Sequence, residues 1–156
     1  MRSPFLIVAA TCLAGCAATT STPWPAGIES LEPAISQSQR KATWPGGAVV
    51  VAPGAGVALQ KARWSGRWEG WACQNFTCDT KLVVLSVTND GAKVMPLWAS
   101  TAESPHEVRD AVFVADELHV VSGEPKFYYR MRKTGEVEMM RTRGTAMGWG
   151  VLTKSQ

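Results

Sequence analysis

Trp64-Ser65-Gly66-Arg67-Trp68-Glu69-Gly70-Trp71 opens the part of the chain whose pattern decides the fold. Trp64, Gly66, Trp68 and Gly70 alternate with Ser65, Arg67 and Glu69. Such a period of two marks a half-buried strand, because successive side chains point to opposite faces. Similar short runs follow at 81–88, 92–98, 108–114, 118–122, 126–132, 136–143 and 147–153. Turn signals separate them: Asn89-Asp90-Gly91, a short turn at 115–117, and Lys133-Thr134-Gly135, where Gly135 suits the left-handed position of a three-residue hairpin. Pro96 cannot donate to a strand ladder, so it predicts a bulge or an unpaired edge in its run. Strands in this succession, with almost no helical periodicity, lose both sheet edges by closing on themselves. The expected fold class is therefore all-β, a small eight-stranded antiparallel up-and-down barrel, with an open sandwich as the alternative.

Strands this short leave little interior space. Trp64, Trp68, Tyr129, Met139 and Trp149 are expected to fill it, leaving no deep ligand cavity. The hairpin at 133–135 sets Arg132 opposite Glu136 and Arg130 opposite Glu138, an outward ladder contributing about 0.2–1 kcal/mol per exposed pair. It also sets Tyr129 opposite Met139 and Phe127 opposite Arg141 on the inner face. Strand counting places 89–91, 115–117 and 133–135 at the end where the N-terminal segment enters. The opposite end collects 71–79, 99–107, 122–125 and 144–146, with Trp71 and Trp98 beyond the strand ends. Longer loops on a rigid scaffold are where binding residues gather. The rim candidates are Trp71, Gln74, Asn75, Phe76, Trp98 and His106; the alternative is that these loops plug the barrel or pack against the N-terminal segment.

The N-terminus carries an address. Arg2 precedes an apolar stretch, 5–13, too short to span a bilayer, and Leu13-Ala14-Gly15-Cys16 resembles the bacterial lipobox. The resemblance implies a lipoprotein signal peptide at 1–15 and a lipidated N-terminal Cys16. An ordinary secretory peptide is the alternative. Ala17 in place of an aspartate implies the outer membrane, lipid-anchored and periplasm-facing, with the membrane as partner through Cys16. Residues 16–60 are then the lipidated N-terminus and a tether or arm, and 61–156 the barrel. Residues 17–26, rich in Ala, Thr, Ser and Pro, suit a flexible spacer. The apolar stretch 48–59, broken by Pro53, Gly54 and Gly56, suits an extended arm lying against the domain.

Composition narrows the chemistry. Without Arg2, fifteen of the sixteen Lys and Arg face thirteen Asp and Glu. So small an excess argues against nucleic acid as the partner. Cys12 leaves with the signal and Cys16 is modified, so Cys73 and Cys78 remain. In an oxidising compartment they predict a disulfide, with half of a zinc site as the rival reading. His106 and His119 lack close metal-ligand spacing and are expected at the surface, and no nucleophile elbow surrounds Ser65. Glu103, Glu107 and Asp110 read as solvated loop charges. The Asn75-Phe76-Thr77 sequon is coincidental behind a bacterial lipobox. The expectation is no enzyme, no cofactor and no metal.

Gly66-Arg67-Trp68, with Arg141 or Arg143 late in the chain, resembles the Gly-x-Trp and late-Arg arrangement of lipocalins and related calycins. That resemblance implies that Trp68 closes one barrel end with an arginine across it, a cation–π contact of about 1 kcal/mol. More broadly, the first strand, the Cys73/Cys78 pair, Tyr128-Tyr129-Arg130-Met131-Arg132 and Gly148-Trp149-Gly150-Val151-Leu152 resemble a group of small exported bacterial proteins of unassigned function. Cys78-Asp79 and Asn89-Asp90-Gly91 also resemble membrane-bound lysozyme inhibitors. Their Ser-Gly motif near a tyrosine has no match here, Ser122-Gly123 with Tyr128 being nearest. The expected function is a non-enzymatic binding module for an envelope protein, a glycan or a small apolar ligand. An inhibitor of a foreign enzyme such as lysozyme, or a structural envelope component, is the alternative.

Overall fold

A computed structural model describes residues 22–100 and 102–155; the signal peptide expected at 1–15 and Cys16 lie outside the described residues. Eight strands run in chain order: β1 (Gly66–Ala72), β2 (Cys78–Val87), β3 (Gly91–Ala99), β4 (Arg109–Val114), β5 (Glu117–Val120), β6 (Lys126–Met131), β7 (Val137–Arg143) and β8 (Ala146–Lys154). Each pairs antiparallel with the next, and β8 returns to β1, closing the barrel. The up-and-down topology follows from tight turns: Val114 faces Glu117 and Arg143 faces Ala146, which leaves two residues in each connection. At the third hairpin Gly135 adopts φ 107°, and the Arg132 N–H donates to the Glu136 carbonyl at 2.8 Å. The expected register holds: Arg130 faces Glu138, Tyr129 faces Met139 and Phe127 faces Arg141.

Closure depends on missing side chains at the β1–β8 seam. A Cβ on Gly150 would overlap the Trp71 carbonyl oxygen and lie 2.7 Å from the Ala72 Cα; one on Gly70 would overlap the Val151 carbonyl oxygen. Strand backbones approach this closely only where glycine stands. Trp68, Leu82, Val94, Leu118, Phe127, Tyr129, Met139 and Leu152 fill the interior. Trp64 belongs to that core, although it precedes β1 and follows a single helical turn, α1 (Leu59–Ala62). Trp149 does not. It sits on the outward parity of β8 opposite Met140 and is only half-buried, while its neighbours Gly148 and Gly150 are buried.

The largest departure from expectation is the N-terminal segment. From Thr22 onward the chain is a bound arm that wraps the outside of the barrel. The Trp24 indole donates to Glu117 at 2.5 Å, and Arg130 lies 4.7 Å from the Trp24 ring. Arg132 donates to the carbonyls of Ile28 and Leu31, both at 2.8 Å. Further on, the Ala42 N–H donates to Asp79 at 2.8 Å, and Trp44 packs by a second cluster of Ala42, Val83, Leu97 and Ala99 on the outer wall. The Val51 N–H donates to Leu85 at 2.7 Å, and Ala58 donates to Asn89 at 2.9 Å. The arm then crosses beneath the barrel, where Lys61 lies over the Phe113 ring, and Trp64 enters the core.

This arm corrects two expectations of exposure. Glu138, expected in a solvated ladder, is 2% exposed and accepts from Arg130 at 2.7 Å and from Arg132 at 2.9 Å, under the arm. His119, expected in solvent, does point outward but is 7% exposed, with its Nε2 at 3.0 Å from Thr22 and 2.8 Å from Glu117.

Candidate binding site

The tight turns close the lower end, and the loops 73–77, 100–108, 121–125 and 144–145 surround the upper end. The upper end is not sealed. Pro96 keeps its register partner Leu82 on β2, but pairing of β3 with β4 runs only from Gly91 to Val94. Beyond that point β3 leaves β4, since Pro96 has no N–H to donate. The edge expected of Pro96 is therefore present on its β4 side, while the irregularity of the β2–β3 ladder falls between Val84 and Ser86.

Two adjoining cavities open there. The larger, about 220 Å3, is lined by Pro96, Trp98, Arg109, Glu124 and Arg143 among others. The smaller, about 140 Å3, is bounded by Trp98, Pro125, Arg141, Arg143, Met147 and Gly148 among others. Trp98 is shared by both. It packs 5.5 Å from the Phe127 ring, and the Arg141 guanidinium lies 5.3 Å from its centroid. Arg109 is held in place, donating to the Pro125 carbonyl at 2.7 Å and to the Ser122 carbonyl, 5.7 Å from the Phe127 ring. Below them, the Tyr129 hydroxyl and Thr80 Oγ1 are buried with no hydrogen-bond partner among the described residues. Burial pushes the Tyr129 hydroxyl far above its ordinary value, against the pull of the Arg109 charge. Burial and the neighbouring Arg143 charge hold Arg141 below the usual guanidinium range.

The expected rim residues divide between two environments. Trp98 lines the mouth, but it lies within β3 and not beyond it. Trp71 lies within β1, is buried on the outer wall, and donates to the Glu32 carbonyl of the arm at 3.3 Å, with Phe76 edge-on at 4.4 Å. Gln74, Asn75 and Phe76 form a short turn tied down by the Cys73–Cys78 disulfide, Cα atoms 5.6 Å apart, and by arm donors to the Phe76 carbonyl. His106 is exposed in the β3–β4 loop, 3.6 Å from Glu103, which also accepts from the Thr43 N–H. So Trp71 and Phe76 are occupied by the arm, and Asn75 stays exposed beside them.

End closure by Trp68 with Arg141 or Arg143 is overturned. Trp68 sits near the lower end, where its indole donates to the Trp64 carbonyl at 2.9 Å and Lys154 lies 5.3 Å over its ring. Arg141 and Arg143 lie at the upper end, facing Gly148 and Ala146 near the β7–β8 turn. An antiparallel count of seven strands puts the start of β1 and the end of β7 at opposite rims. The sequence reading missed Arg109, Thr80 and Tyr129 as a group, although their inward parity was readable.

The arrangement offers charge and an aromatic surface, and most of the carboxylates and histidines considered in the sequence have other partners. Glu103 is taken by Thr43 and His106, Asp110 by Lys93 at 2.6 Å, and His119 by the arm. Among the described residues no group of three or more His, Cys, Asp or Glu side chains could hold a metal ion, and no helix is long and apolar enough to cross a membrane. Comparison with protein-family models, curated protein sequences and solved structures finds no match to this chain. What it shares with lipocalins is therefore the architecture: an all-β, eight-stranded antiparallel barrel closed in chain order.

Proposed function

We propose that this chain is a lipoprotein of the bacterial outer membrane, anchored through Cys16, whose barrel is a non-enzymatic binding module working through its upper mouth. The observation that carries the reading is the mouth itself: a gap between β3 and β4 with Trp98 and inward arginines set in a rigid wall. A preorganised concave surface of this kind suits binding, since little order is lost when a ligand arrives. The anchor rests on the lipobox-like Leu13-Ala14-Gly15-Cys16.

The bound arm gives this reading a geometry. Thr22 is clasped by Glu117 and His119 on β5, so the span from a lipidated Cys16 is six residues and not the whole of 16–60. At roughly 3.5 Å per residue that span reaches at most about 21 Å. The start of β5, at the lower end, is then the part held near the membrane, and the mouth faces away from it.

Palmitate labelling and capture test the two halves. Full-length protein should take up label and fractionate with outer membrane, and Cys16→Ala should do neither. Trp98→Leu should lose capture of envelope components while still folding, whereas Phe76→Ala should lower the melting temperature. Label retained by Cys16→Ala, or capture unaffected by Trp98→Leu, refutes the corresponding half.

A further inference from the structure

Several cations on the outer wall of this barrel have carboxylate partners. Lys81 pairs with Asp79 at 2.7 Å, and Arg130 and Arg132 share Glu138. Arg141 differs: it is half-buried, points into the barrel, and no carboxylate lies within ion-pair distance among the described residues. A second guanidinium, Arg143, lines the same cavity and adds to the excess of positive charge. The nearest carboxylates, Glu107 and Glu124, are exposed and line only the larger cavity, so the smaller one presents positive charge alone. Two guanidiniums on one cavity, one half-buried and one exposed, repel each other, and an anion between them offsets that repulsion.

An apolar surface adjoins this charge. The Trp98 ring borders the same cavity, across the β2–β3 pair from Thr80. Thr80 and Tyr129 carry buried hydroxyls without partners among the described residues, but neither lines the cavity. The cavity of about 140 Å3 accommodates a single substituted aromatic ring.

We propose that the upper mouth is a site for a small organic anion, with its carboxylate or phosphate held by Arg141 and Arg143 and its apolar part against Trp98. This rests on the binding-module reading and names its ligand class. Arginine suits that role because its planar fork matches both oxyanions.

Calorimetric titration of the full-length chain, with Cys16→Ala to prevent lipidation, tests it using benzoate, phenyl phosphate and neutral benzamide. Benzoate and phenyl phosphate should bind about tenfold or more tightly than benzamide, with affinity falling as salt is raised. Arg141→Gln should cost about tenfold, and the exposed Arg143→Gln, which cannot unfold the core, should weaken binding in the same direction. Lys93→Gln, a cation on the outer wall, should change nothing. Equal binding of benzoate and benzamide, or indifference to both arginine substitutions, overturns the proposal. So does binding to phosphatidylglycerol over phosphatidylcholine vesicles with no response to benzoate, which would make the ligand a lipid headgroup. Capture of envelope components that persists in Arg141→Gln but fails in Trp98→Leu removes the anion and leaves the binding module standing.

Discussion

Replacing Glu138 by alanine should be among the most damaging single changes on the outer wall. Its carboxylate is 2% exposed and receives Arg130 at 2.7 Å and Arg132 at 2.9 Å. The side chain of Arg132 is 16% exposed and that of Arg130 is 37% exposed, so the variant leaves one cation nearly buried and another half-buried without the carboxylate they share. Breaking a buried ion pair by removing one partner costs about 3–5 kcal/mol. Because Arg130 retains access to water, about 3 kcal/mol is expected. Arg132 also holds the arm through the carbonyls of Ile28 and Leu31, so part of the cost should appear as local release of the arm. For a chain of this size roughly 2–4 °C is lost per kcal/mol, giving a melting temperature lower by about 6–12 °C. Chemical denaturation checks the free energy, and amide exchange of residues 24–32 checks the arm. A loss below about 1 kcal/mol, the range of an exposed pair, refutes the burial argument.

Gly150→Ala should destabilise by about 3 kcal/mol or prevent closure, because the new methyl meets the Trp71 carbonyl and the Ala72 Cα across the seam; Gly46→Ala, with open space around it, is the control in the same melting assay. A Gly150→Ala protein with unchanged melting temperature contradicts that seam. A further prediction concerns acid. Burial raises the Glu117 carboxyl, but hydrogen bonds with Thr22, His119 and Trp24 together outweigh it and hold the group below its ordinary range. A lowered folded-state value means that the clasp is fully present above the unfolded value of about 4.3 and is lost as pH falls through the folded value. Exchange protection at Trp24 should therefore persist at neutral pH and fall only in the acid range; release beginning near neutrality refutes it.

Much of the barrel was readable because strand patterning is local. Alternation along 126–132 and 136–143, with Gly135 between them, is enough to set Arg130 against Glu138 and Phe127 against Arg141. A three-residue turn admits one register when each face has its own polarity. The disulfide is similarly local, with Cys73 and Cys78 five positions apart. The lipocalin-like pairing of Trp68 with Arg141 failed on distance along the strands, since it joined residues that the strand count sets at opposite rims.

By itself, then, the sequence determined which residues form strands, where the chain turns, which parity faces inward and how neighbouring strands align. Each depends on residues within one hairpin. Only the tertiary structure decided which outward residues are also buried. Glu138, His119 and Trp71 occupy outer positions that alternation assigns to water, and they lose it to a segment far away in sequence. Arg132 meets Ile28 across 104 positions and Thr22 meets His119 across 97. The arm's own composition is too irregular to announce that contact, because an extended chain can hydrogen-bond through its carbonyls whatever its side chains. The mouth was divided in the same way. Pro96 announced a break in the ladder, but only closure of the barrel brought β3, β4 and β7 round to face one opening, where Trp98, Arg109 and Arg141 meet.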